Sequence, residues 1–401
     1  MSKVVPKLRF KDFDKEWIRI SIQELLNRKT ILSHLDGNHG GLYPRNDEFT
    51  STGVPYISAN DFYDGQVKFE NCKHLPNDRA AKFKKGIAKN GDVLFAHNAT
   101  VGPTALLVTD LSYVILSTTA TYYRCDNKNL LNKYLRLYFE TKNFIQQYSR
   151  VMSQSTRNQV PITTQRTFII ALPAYPEQQK IASFLSAIDE KIQQLTRKKE
   201  LLEQYKKGVM QQLFPSAGSG QSEGKIRFKD ENGRAYPKWE EKRLGEVCEN
   251  IKSGRDKAAD EGFFPLFGST GRIGSSNEYS HDGSYILIAR VGANAGTINL
   301  VDGKFAVSDN TLVVNCNDAR SIKYVFYYLS FFNLNKLIFG SGQPLITGGQ
   351  LKDLMLPLPS IEEQQKIANF LSGIDTKIES VANQIAQTQT FKKGLLQQMF
   401  V

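Results

Sequence analysis

Apolar residues follow two rhythms along this chain. Over Glu177–Phe214, EQQKIASFLSAIDEKIQQLTRKKELLEQYKKGVMQQLF, the residues Ile181, Ile188, Leu195, Leu202 and Val209 recur every seventh position. Phe184 and Tyr205 follow three residues after the first and fourth of these. Glu363–Phe400, EQQKIANFLSGIDTKIESVANQIAQTQTFKKGLLQQMF, repeats the pattern without a gap at an offset of 186. There Ile367, Ile374, Val381 and Leu395 hold the same places, Phe370 matches Phe184, and Thr388 is the one polar member. A 3.5-residue apolar period kept over about five heptads predicts two long helices that pair as a coiled coil. Each would run for about 55 Å at 1.5 Å per residue. Two copies in one chain can satisfy each other, and antiparallel packing is the simpler geometry.

The second rhythm is short. Val93–Ala96, Tyr113–Leu116, Thr121–Arg124, Tyr285–Ala289 and Thr311–Val314 are runs rich in Val, Ile, Tyr and Phe, punctuated by Gly, Asn and Asp. They read as strands. One helix per module is expected, at Leu130–Ser149 and at Ala319–Asn335. The Gly-rich run Gly268 to Gly274 reads as a turn, with more loop after it. Strands and helices together predict an α+β fold.

The repeat extends beyond the long segments. Leu8–Trp17, LRFKDFDKEW, matches Ile226–Trp239, IRFKDENGRAYPKW. Fainter echoes link Gly91–Gly102 with Gly283–Gly296, Val114–Thr118 with Phe305–Asp309, and the start of each shorter helix. The chain therefore divides into a first module (1–172), a first long helix (173–214), a flexible linker (215–224), a second module (225–359) and a second long helix (360–401). The linker reads PSAGSGQSEG, small and polar.

The formal net charge is +12, and the two long segments carry only three units of it. The surplus on the modules points to a polyanion, most often nucleic acid. Cys72, Cys125, Cys248 and Cys316 form no C-x-x-C and are expected to be reduced in a cytoplasmic protein. The charged N-terminus does not resemble a signal peptide, and no apolar run is long enough to span a membrane.

No catalytic motif stands out. There is no phosphate-binding glycine loop, no nucleophile elbow and no D/N-P-P-Y/F motif of the kind adenine methyltransferases carry; a dispersed Ser–His–Asp set stays open. The five His have no metal-like spacing. What recurs instead is polar and basic residues on expected loops. In the first module these are Lys84, Lys85, His97, Asn98, Thr100, Ser117, Thr118, Ser155, Arg157 and Asn158. In the second they are Lys252, Arg255, Thr270, Arg272, Arg290, Asn294, Asn310, Ser341 and Gln343. Such side chains read base edges and hold phosphates.

With its two EQQKIA-x-FLS-x-ID-x-KI segments, each preceded by a Leu-Pro strand end (Leu172-Pro173, Leu358-Pro359), the chain resembles the specificity subunit of type I restriction–modification systems. The resemblance covers nearly the whole length. It implies two target-recognition domains, separated and followed by two long helices in an antiparallel coiled coil. Each domain would read one half of a bipartite site in double-stranded DNA. The helices would dock two modification subunits, which bind S-adenosylmethionine and methylate adenine, and ATP- and Mg-dependent restriction subunits would join them. This chain would bind no cofactor or metal itself and would not be an enzyme. The competing reading is a coiled-coil scaffold whose basic domains bind other proteins.

Overall fold

A computed structural model describes residues 5–154, 157–215, 223–248, 250–338 and 344–401. The chain forms two units: Met1–Leu195 with Gln384–Val401, and Thr196–Asn383. Each long helix therefore begins in one unit and ends in the other. The two helices, Tyr175–Leu213 and Ile361–Met399, are 39 residues each and keep the 186-residue offset at both ends.

Each module holds two four-stranded sheets of the same topology. In the first module one sheet is antiparallel, in the order Ile31–Asp36, Ala120–Cys125, Val93–Ala96, Thr104–Leu106. The other runs Lys73–Leu75, Val54–Ile57, Val114–Leu116, Ile87–Ala88, with the central two strands parallel. The second module repeats both. Its antiparallel sheet is Asn250–Ser253, Thr311–Asn315, Tyr285–Ala289, Ile298–Val301. Its mixed sheet is Gly271–Ser276, Phe264–Gly268, Lys304–Val307, His281–Asp282. The short apolar runs are thus strands, as the sequence leads one to expect. The Gly268 to Gly274 run differs: only its centre turns, and Gly271–Ser276 is a hairpin strand rather than loop.

The helical regions also differ from expectation. Leu130–Ser149 is two helices, Asn132–Phe139 and Lys142–Ser153. Thr141 breaks them, because its hydroxyl caps the second by accepting from Phe144 N. In the second module the helix is Ile322–Phe332, ended by Asn333 in the left-handed region at φ 61°.

The motifs of the two openers lock the N-terminal end of each long helix. Arg9 donates through Nε and Nη2 to buried Glu177, both at 2.7 Å. Arg227 grips buried Glu363 the same way, at 3.1 and 2.7 Å, and Trp239 Nε1 adds a third donor at 3.0 Å. The next residue closes the turn: Gln178 Nε2 donates to Pro173 O, and Gln364 Nε2 to Pro359 O. A buried carboxylate is tolerable because a bidentate guanidinium meets it.

The seam residues obey the seven-residue period with a different companion. Ile181 and Leu195 are buried, as are Ile367, Ile374, Val381 and Leu395, while Ile188, Leu202 and Val209 are half-buried. The second seam position falls four residues on, at Leu185, Ile192 and Leu213 in one helix and Leu371 and Met399 in the other. The positions three residues on are outside the seam: Tyr205 is 54% exposed, and Phe184 and Phe370 are each 39% exposed. Phe184 instead packs edge-on against Phe10, and Phe370 against Phe228, in the openers.

The helix pairing is antiparallel within each unit. In the first, Lys392 near the end of one helix meets Asp189 near the start of the other at 2.7 Å. In the second, Lys206 meets Asp375 at 2.6 Å, the repeat-related pair. The final aromatic of each helix is buried in the core where the other helix starts. Phe400 packs on Trp17, Tyr134 and Tyr138, and Phe214 packs on Tyr324 and Tyr328. Cys248 and Cys316, far apart in sequence, sit together in the second core with sulfurs 2.7 Å apart. The linker centre, residues 216–222, lies outside the described residues.

This crossover gives a test. Phe214→Ala should destabilise the second unit by about 3–5 kcal/mol, the usual result of truncating a buried Phe. It should leave the first module unchanged, although Phe214 follows that module in sequence. Native-state hydrogen exchange around Tyr324 and around Tyr134 measures the two effects.

Candidate nucleic-acid interface

The ladder ends of each module converge on one loop junction. In the first module the strand Val93–Ala96 runs into His97, where the backbone is pinned from both sides. His97 N donates to Thr119 O at 2.9 Å, and Val160 N donates to His97 O at 2.8 Å. Ala99, at φ 63°, turns the loop back, and its N–H donates to Asn158 O at 3.0 Å. Ser117 N donates to Ile57 O at 2.7 Å, and Gly37 N to Ala120 O at 3.2 Å. Gly37 has no alternative, since a Cβ there would collide with the carbonyls of Leu116 and Ser117.

The second module builds the same junction bond for bond. Arg290 N donates to Asn310 O at 3.0 Å, and Ile346 N to Arg290 O at 2.8 Å. Ser308 N donates to Phe267 O at 2.9 Å, and Gly254 N to Thr311 O at 3.0 Å. Gly254 too is held against carbonyls, those of Val307 and Ser308. Arg290 thus takes the place of His97, Ser308 that of Ser117, Asn310 that of Thr119, and Thr311 that of Ala120.

The sequence-derived candidates gather here unevenly. Asn98, Thr100, Thr118, Arg157 and Asn158 line the first junction, and Thr100, Arg157 and Asn158 are exposed. Lys84 and Lys85 are exposed beside Gly86, whose carbonyl accepts from Leu116 N. In the second module Arg255, Asn294 and Asn310 are exposed around Arg290. Thr270 lies on the hairpin turn next to the Phe267–Ser308 bond, and Arg272 on the strand after it. Lys252 is exposed on the strand leading to Gly254. Ser155, Ser341 and Gln343 lie outside the described residues.

Two candidates are corrected. His97 is interior, with Nδ1 3.2 Å from Val160 O, so its ring supports the loop instead of meeting solvent. Ser117 is also buried, and its hydroxyl is bonded to Thr119 Oγ1 at 2.7 Å. Their polar character in sequence concealed backbone-supporting work.

Gln165 is the residue that sequence reading missed. Fully buried on the short helix Ile162–Gln165, its Oε1 accepts from Tyr123 Oη at 2.6 Å and Thr121 Oγ1 at 3.0 Å, and lies 3.2 Å from His34 Nε2. Its Nε2 donates to Val160 O at 2.8 Å, the carbonyl that faces His97. Nothing in the local sequence distinguishes Gln165 from other polar loop residues. Burial drives His34 down to about 3, against the opposing bond from Gln165, and burial also lowers His97. Burial therefore favours the neutral form of both imidazoles.

Among the described residues no group of three His, Cys, Asp or Glu could hold a metal ion, and no helix is long and apolar enough to cross a membrane.

A histidine depressed in the folded state binds its proton mainly in the unfolded chain. Stability is then full above the unfolded pKa near 6.5 and falls as pH drops towards the folded value. For His34 the loss between pH 7 and pH 5 should be about 2 kcal/mol. Urea unfolding of wild type and His34→Asn at the two pH values checks it, and the variant should show the smaller acid loss.

The description "Type I restriction modification DNA specificity domain" fits this chain twice, over residues 11–204 and 236–389. The putative type I restriction enzyme MjaX specificity subunit of Methanocaldococcus jannaschii is 29% identical over 372 residues, covering 86% of this chain and 85% of that protein. The type I restriction enzyme EcoprrI specificity subunit of Escherichia coli is 33% identical over 148 residues, 35% of this chain and 37% of its own length. In fold, the chain is similar to the type I restriction–modification S subunit from M. genitalium, with a TM-score of 0.62 at 15% identity over 99% of both chains. With both modules, both long helices and nearly the full length accounted for, the chain belongs to the family of type I restriction–modification DNA specificity subunits.

Proposed function

We propose that this chain is the non-catalytic DNA-recognition subunit of a type I restriction–modification complex. It reads a bipartite site, one half per module. The observation that carries this is the duplicated junction: one set of backbone bonds, holding His97, Thr119 and Ala120 in one module and Arg290, Asn310 and Thr311 in the other at matched places, with exposed polar residues around them. A scaffold that fixes loop positions while changing side chains suits two readers of different half-sites. The charge surplus on the modules supports a phosphate-lined partner. The long helices position two modification subunits, which supply S-adenosylmethionine and the methyl-transfer chemistry to adenine. Restriction subunits contribute the ATP- and Mg-dependent nuclease. The competing reading, a scaffold for protein partners, gives no reason for two such junctions.

Exchanging residues 1–172 for the corresponding module of a homologue should change one half-site of the methylated sequence and keep the other. Sequencing of methylated DNA from cells expressing the complete methyltransferase reads this directly. If both halves change together, the modules do not read independently.

A second outcome concerns spacing. One extra heptad in each long helix keeps the seam in register and adds about 10 Å. At roughly 3.4 Å per base step the preferred spacer should lengthen by up to about three base pairs, with both half-sites unchanged. Methylation of targets with graded spacers measures it, and a well-folded variant with the original preference would show that the helices do not set the distance.

A further inference from the structure

The two junctions share their backbone bonds and differ in how their side chains are satisfied. In the first module the hydroxyls close on themselves. Ser117 Oγ and Thr119 Oγ1 are 2.7 Å apart, Thr119 N donates to Ser117 Oγ at 3.2 Å, and Ala59 N donates to Thr119 Oγ1 at 2.9 Å. Among the described residues, only the His97 Nε2 atom of that group is left without a partner.

In the second module each replacement opens the arrangement. Asn310 stands where Thr119 would close the hydroxyl, and it is exposed. Among the described residues Ser308 Oγ then has no partner, although the residue is 8% exposed. Thr311 stands where Ala120 has no hydroxyl at all, and its Oγ1 also lacks a partner in a residue 1% exposed. Arg290 replaces the neutral, interior His97, and its Nε is buried and unpartnered. Arg290 is one residue past Ala289, which pairs with Thr311 across the ladder, so the three groups belong to one place. Buried donors without acceptors are costly in a free protein, and a ligand that supplies the missing partner removes that cost.

We propose that Arg290 and Ser308, with the Thr311 hydroxyl beside them, form a preorganised recess for an acceptor group of the DNA at the second half-site. The chemistry it takes is an oxygen or ring nitrogen without hydrogen, found on a guanine edge or a phosphate. The first module has no equivalent recess, because its hydroxyls are already spent on each other. This inference rests on the DNA-recognition reading above and adds a specific site to it.

The test uses the full chain assembled with its modification subunits. A duplex recovered from a randomised library by the wild-type complex serves as probe. Ser308→Ala and Arg290→Ala should each weaken binding to that duplex at least fivefold while the preference for the first half-site stays. Loss restricted to duplexes carrying one base identifies a base edge, and equal loss across base variants of the second half-site identifies a phosphate; either supports the recess.

A purely structural role is separated by thermal unfolding of the chain. Ser308→Ala should leave the Tm unchanged or raise it, because it removes an unsatisfied hydroxyl. Ser117→Ala, at the matched place, should lower the Tm because it removes a bonded one. If Ser308→Ala lowers the Tm as Ser117→Ala does and binding is unchanged within twofold, the recess is wrong while DNA recognition stands. A wild-type complex that selects no sequence from the library would sink both.

Discussion

Everything else in this molecule depends on two helices being held in one antiparallel register. Apolar packing alone does not choose it, because the seam recurs every seven residues and a slip by one heptad would bury similar side chains. The reciprocal pairs Lys392–Asp189 and Lys206–Asp375 do choose it. Each places a cation at a seam position where an apolar residue would otherwise be expected, and each cation has its carboxylate only in this register. Such partly buried pairs contribute little net stability and instead penalise the alternatives. The first pair is reinforced: Arg136 reaches both Glu140 and Asp189, and Lys392 reaches both carboxylates in turn. In the second unit Tyr327 Oη donates to Asp375 in place of the arginine.

The ends of the helices turn register into architecture. A buried glutamate, gripped by the opener arginine, fixes where each helix begins. A terminal phenylalanine, inserted among aromatic residues, fixes where it ends. Phe214 completes the second core and Phe400 the first, and the first unit has its full hydrophobic interior only with the sequence-distant segment Gln384–Val401. Each helix end is thereby anchored inside a hydrophobic core.

How much of this was legible in the sequence depends on what kind of information each feature requires. The duplication, the long helices and the strand runs are periodic, and periodicity survives without knowledge of partners. The phase of the seam is less visible. Phe184 and Tyr205 fit a spacing of three, while Leu185 and Ile192 fit a spacing of four, and only the facing helix decides between them. The junctions were harder still. His97 and Arg290 are both polar residues after an apolar strand, yet the first is buried whole and the second only in part. Gln165 carries four polar contacts from a stretch that reads as ordinary loop. Burial of polar groups is set by tertiary partners, and no local pattern encodes it.

The division of labour inside the junction explains how one fold can carry two different sets of side chains at the same places. The bonds that hold His97, Thr119 and Ser117 in place are made by their backbone N–H and C=O groups, and the same is true of Arg290, Asn310 and Ser308. The main-chain bonds recur in both modules whatever the side chains are, while Gly37 and Gly254 are required because any Cβ would collide with a neighbouring carbonyl. A position held by main-chain bonds can change from imidazole to guanidinium, or from threonine to asparagine, without moving the loop that carries it. Changes of that kind alter the pattern of donors and acceptors offered to a ligand at small cost in fold stability. The backbone junction thus separates the requirement to fold from the requirement to discriminate, which is the condition a subunit must meet if its two halves are to read different sequences from one architecture.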